Sequence, residues 1–81
     1  MFTQDKSLLE RPRDILVKRV YCHFKGGRYI VEDVARHSET GIEMVVYRSL
    51  KDGELWVRLK SMFLDIKETE AGFTYRFSLD V

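Results

Sequence analysis

The chain has 81 residues, 44% apolar and 12% aromatic, with 14 Lys and Arg against 13 Asp and Glu for a net charge of +1. This composition describes one domain near the lower size limit for burying its own core, too apolar for disorder and too balanced in charge to name a partner. The single cysteine, Cys22, excludes an internal disulfide and fits a reducing, cytoplasmic setting, and no stretch approaches the roughly 20 apolar residues of a membrane helix.

Residues 1–14 read as a polar N-terminal arm and residues 15–81 as a single β domain. In the arm, Ser7-Leu8-Leu9-Glu10 has the form of a capping box, and Pro12 limits it to one helical turn. From Ile15 onward, strand-like runs alternate with turn residues. They predict strands over 17–24, 28–37, 43–50, 54–59, 63–69 and 73–80. Gly26-Gly27 is expected to form a two-residue hairpin turn that pairs Phe24 with Tyr29 and Cys22 with Val31. Thr40-Gly41 sits in a further reversal. Asp52-Gly53 has a type I′ signature that pairs Leu50 with Leu55, Ser49 with Trp56, Arg48 with Val57 and Tyr47 with Arg58. Glu70-Ala71-Gly72 precedes the alternation Phe73, Tyr75, Phe77, Leu79. A meander of this length leaves one face and two edges exposed unless it curls. The expected fold is all-β, a small antiparallel SH3-like barrel or roll of five to six strands.

These registers assign faces. Met44, Val46, Leu50, Leu55, Val57 and Leu59 form one apolar face, read as core, together with Val20, Cys22, Phe24, Tyr29 and Val31. Tyr21, His23, Tyr47, Ser49, Trp56 and Arg58 fall on the other side. Arg36 joins them, and Ala35 joins the core, if the loop after His37 has an even length. Asp33 then lands on the core side, which a β-bulge near Glu32-Asp33 would relieve.

Arg36-His37-Ser38-Glu39 supplies a base, a nucleophile and a carboxylate. Neighbours in a strand point to opposite faces, however, and a triad needs convergent groups. Ser38 and Thr40 are expected to bond turn backbone, and Glu39 to pair with Arg36 or His37. Gly26, Gly27, Ser38, Glu39, Thr40 and Gly53 are therefore read as turn residues, and no residue as catalytic. Two histidines without Cys partners or helical spacing assign no metal ligand, and no phosphate loop implies a cofactor. Between Arg11 and Arg28 six basic residues face one acid, Asp14; such a window suits an anion or a solvated strand edge. The best candidate surface is Tyr21, His23, Arg36, Tyr47, Trp56 and Arg58, where aromatic planes interleave with guanidinium groups. The structural alternative is that Tyr47 and Arg58 are only a cross-strand packing pair, with Trp56 buried beneath the last hairpin.

Tyr21-x-His23-Phe24-Lys25-Gly26, Tyr29-x-Val31, Ala35-Arg36-His37-Ser38-Glu39-Thr40, Val45-Val46-Tyr47-Arg48, Leu55-Trp56-Val57-Arg58 and Met62-Phe63 resemble a short bacterial family, domain of unknown function 1653. The resemblance covers about residues 20 to 68 and departs at Leu59 and Asp33, where Pro and a small residue are expected. It implies an SH3-like barrel and no activity. The expected role is a non-catalytic binding module whose aromatic and Arg face recognises a protein segment or nucleic acid, as a monomer or weak homo-oligomer. An accessory subunit acting through a sheet edge or the basic arm is the alternative, with a small enzyme third.

Overall fold

Glycine turns, one helical turn and a bend at Arg76 divide the β-forming runs into seven strands in the computed structural model, which describes residues 2–81. They are β1 (Val20–His23), β2 (Arg28–Arg36), β3 (Glu43–Ser49) and β4 (Leu55–Leu59), then, after one helical turn α1 (Lys60–Phe63), β5 (Ile66–Thr69), β6 (Gly72–Tyr75) and β7 (Phe77–Leu79). The protein is all-β and antiparallel. A five-stranded sheet has the order β4-β3-β2-β1-β7, and β5 and β6 form a two-stranded sheet. The large sheet is not closed into a barrel, because β4 and β7 remain its edges.

Two predicted strands are interrupted. The expected strand over 63–69 begins instead with α1, which drives the Phe63 ring fully into the core. The expected strand over 73–80 bends at Arg76. Its N–H donates to the Asp65 carbonyl at 2.9 Å, and its guanidinium grips the Asp65 carboxylate at 2.8 and 3.1 Å. This bidentate anchor passes the chain from the small sheet into the large one.

Loop lengths reset the registers. The β1–β2 hairpin closes with the His23 N–H donating to the Gly27 carbonyl, and Tyr21 pairs with Tyr29 rather than Cys22 with Val31. Gly26 and Gly27 do adopt positive φ, 110° and 91°. The loop between them and His23 has an odd length, which inverts the face assignment of β1 relative to β2. The β3–β4 connection is a four-residue loop closed by Ser49 and Glu54, not a two-residue type I′ turn. Tyr47 therefore pairs with Trp56 and Val46 with Val57, a two-residue slide that preserves the faces. The β2–β3 register shifts between Val31 and Asp33, at the bulge the misplaced Asp33 demanded.

The core lies on the opposite face of β3 and β4 from the one expected. Val45 and Tyr47 are buried, whereas Leu50, Leu55 and Val57 are 48%, 52% and 58% exposed. The inward cluster is Tyr21, Val31, Val45, Tyr47, Phe63 and Phe77. Cys22 and Ala35 also leave the core: Cys22 is half-buried and Ala35 exposed. The reason is aromatic. Phe63 stacks on Phe77 at 4.0 Å and 3°, and Tyr21 and Tyr47 meet the Phe63 ring edge-on at 5.3 and 5.4 Å. Four large rings bury more area than the aliphatic face can.

The arm is docked. Its helical turn, Lys6–Leu8, is 3-10 and is capped by Asp5, whose carboxylate accepts from the Ser7 N–H at 3.1 Å; the Ser7–Glu10 capping box does not form. Thr3 bridges to Phe73, and Gln4 donates to the Ala71 carbonyl. Arg13 donates to the Phe77 and Leu64 carbonyls and lies 3.5 Å over the Tyr75 ring. The basic window is partly neutralised too, through Lys18–Glu32 at 2.7 Å and Arg28–Asp80 at 2.6 Å.

Candidate functional site

The inward face of the large sheet is not fully filled. His23 on β1, Tyr29 on β2, Tyr47 on β3, Trp56 and Arg58 on β4, and Phe77 on β7 line an open cavity of about 200 Å³. Period-two alternation places each of these side chains on the same face. The ladder pairs His23 with Phe77 and Tyr47 with Trp56, bringing them across neighbouring strands.

The walls are held from behind. Tyr29 meets Tyr47 edge-on at 5.4 Å, and Phe77 meets Tyr47 at 5.5 Å. Arg58 donates through Nε to the Tyr47 hydroxyl at 3.3 Å and lies 5.9 Å over the Phe77 ring. It has no ion-pair partner among the described residues. The Trp56 ring is not buried beneath the last hairpin: the residue is 53% exposed at the rim.

His23 is the titratable member. Its Nδ1 accepts the Lys25 backbone N–H at 3.1 Å, and its ring packs against Phe24 and Phe77. Burial lowers its pKa, and the charges of Arg58, Arg76 and Lys25 lower it further. The cavity therefore combines aromatic walls, a positive field and no carboxylate in its lining. Aromatic walls in a positive field are chemically suited to an anionic group beside a flat or apolar one.

Four of the six candidate residues, His23, Tyr47, Trp56 and Arg58, come together around this cavity. Tyr21 lies under it, 2% exposed, with its hydroxyl accepting from the Leu16 N–H at 3.1 Å; it supports the floor and does not line the cavity. Arg36 stands apart. It pairs with Glu43, four residues and about 13 Å along β3 from Tyr47, and its guanidinium donates to the Gly41 carbonyl at 2.8 Å. Tyr29 and Phe77 were missed as site residues, because the expected register placed Tyr29 among core side chains and the last strand was assigned no partner that would give Phe77 a face. The alternation through Phe77 was the available signal, once His23 is set opposite it.

The Arg-His-Ser-Glu-Thr block builds its own loop. His37 Nδ1 accepts from the Glu39 and Thr40 N–H groups at 3.2 and 3.4 Å, and the Thr40 hydroxyl accepts from Ile42 at 3.2 Å. His37 thus meets the backbone of Glu39 rather than its carboxylate. Among the described residues no three His, Cys, Asp or Glu side chains converge to hold a metal, and no helix is long and apolar enough to cross a membrane. A larger apolar hollow of about 670 Å³ lies at the seam between the arm and the β6–β7 segment, walled by Phe2, Leu8, Leu9, Tyr75 and Leu79. The Arg13 guanidinium there is already committed to two carbonyls.

No curated protein matches the chain. The crystal structure of a DUF1653 protein from Bordetella bronchiseptica is similar, with a TM-score of 0.71 and 32% identity over 78% of this chain and 85% of that one. The family described as a protein of unknown function, DUF1653, matches residues 19–79, which hold every residue lining the cavity. The chain belongs to the DUF1653 family.

Proposed function

We propose that the protein is a non-catalytic binding module whose cavity receives one anionic group together with an attached planar group. The observation that supports this most is Arg58, unpaired at the cavity wall beside the exposed Trp56 indole. A single-stranded nucleic acid fits the pair best, since every nucleotide carries both a phosphate and a stacking face. An acidic protein segment shares the anion but offers a planar group only where an aromatic residue adjoins the acid.

Trp56 fluorescence tests the reading directly. Titration with single-stranded RNA and DNA is expected to quench the indole saturably, and acidic peptides to do so more weakly. Arg58→Ala is expected to lose about 10- to 150-fold in affinity, since a charge-assisted contact is worth about 1.5–3 kcal/mol. Arg36→Ala is expected to leave the titration unchanged. No quenching by any of the three probes defeats the proposal.

A further inference from the structure

We propose that β4 is a self-pairing edge, at which a second copy of this chain adds antiparallel about Trp56. β4 ends the five-stranded sheet. Its ladder with β3 decides which of its backbone groups stay open. The Ser49 N–H donates to the Glu54 carbonyl at 2.9 Å, and Tyr47 and Val45 pair with Trp56 and Arg58 at alternate steps. Glu54, Trp56 and Arg58 therefore turn their backbone groups toward β3. Leu55 and Val57 turn theirs outward, and no other described segment bonds them. Leu55, Trp56 and Val57 are each more than half exposed, so the edge is uncovered. It carries no Pro and no bulge, the usual devices that keep an edge from templating another strand.

The sequence of this edge is complementary to its own reverse. In Glu54-Leu55-Trp56-Val57-Arg58, antiparallel pairing centred on Trp56 sets Glu54 of one protomer against Arg58 of the other and Leu55 against Val57. The open N–H and C=O groups of Leu55 and Val57 form four hydrogen bonds across the two-fold axis. The two Trp56 residues meet at a non-hydrogen-bonded position, where cross-strand side chains approach most closely. Neither Glu54 nor Arg58 has an ion-pair partner among the described residues, and Arg58 commits only its Nε, to the Tyr47 hydroxyl, which leaves its terminal N–H groups for Glu54 of the second copy. Sliding the centre to Arg58 would oppose like charges instead. Charge and register thus favour a second copy over an unrelated strand. The pairing also brings a second Trp56 to the rim of each cavity. The inference stands on the strand edge and its charges; it shares Arg58 with the cavity and is therefore tested on protein free of nucleic acid.

So short an edge covers less than the roughly 1,200 Å² of a standard stable interface, so the dimer is expected to dissociate in the micromolar range. Sedimentation velocity from micromolar to millimolar protein tests it. The unaltered chain is expected to pass reversibly from monomer to dimer. Arg58→Glu or Glu54→Arg alone is expected to weaken association by about tenfold, and the double exchange Glu54→Arg/Arg58→Glu to restore it. Val57→Pro, which removes an outward N–H and no β3–β4 bond, is expected to be monomeric with an unchanged far-ultraviolet spectrum. A chain that stays monomeric throughout, even one that pairs this edge with another protein's strand, overturns the proposal. So does a dimer indifferent to the single exchanges, or a double variant no tighter than the singles.

Discussion

His23 shows how one side chain reports on the whole site. Burial comes first among the causes of its lowered pKa, followed by Arg58, Arg76 and Lys25. The folded protein therefore favours the neutral ring, while the unfolded chain takes its proton near the ordinary value of 6.5. This contribution to stability is full above pH 6.5 and is lost as pH falls from there through the lowered folded value. Urea unfolding as a function of pH is expected to show that decline in the unaltered protein and a flatter profile in His23→Asn. Parallel profiles would contradict the assignment. Of this residue, the sequence showed only a histidine beside a hairpin. Its environment depends on Phe77, which reaches it from the other end of the chain.

At the scale of elements, the arm and the small sheet form one unit through Gly72. This residue holds φ at +122°, and a Cβ there would stand 2.6 Å from the Thr3 carbonyl oxygen. Gly72→Ala is expected to cost about 1–3 kcal/mol in chemical denaturation and to release the arm, read as faster amide exchange at Thr3. A variant as stable as its parent, with Thr3 still protected, would contradict this account. The positions of the reversals were legible in the sequence because Gly26-Gly27, Thr40-Gly41 and Asp52-Gly53 mark them locally. Their lengths were not. Whether His23 closes on Gly27 depends on the strands the loop joins, and one residue of difference turns Tyr21 from one face to the other. The bulge was legible for the opposite reason: without it Asp33 would point into the core.

For the whole molecule, the all-β antiparallel class followed from alternation and turns, but the inner face did not. Counting aliphatic residues favoured Met44, Val46, Leu55 and Val57 as core. The molecule buries Tyr47 and Val45 instead, because Phe63 from α1 and Phe77 from β7 converge on that side. This inversion sharpens the functional reading. The face carrying Tyr47, Trp56 and Arg58 is the hollow of the sheet, where its unfilled part becomes a cavity. The central claim is that this hollow, and not the Arg36 loop or the arm, engages a ligand. Two-dimensional NMR of the labelled protein titrated with a short single-stranded RNA tests it most directly. The account predicts saturable shifts at the Trp56 indole N–H, the Arg58 side chain and His23, with the Arg36–Gly41 loop unmoved; shifts confined to that loop or to the arm would contradict it.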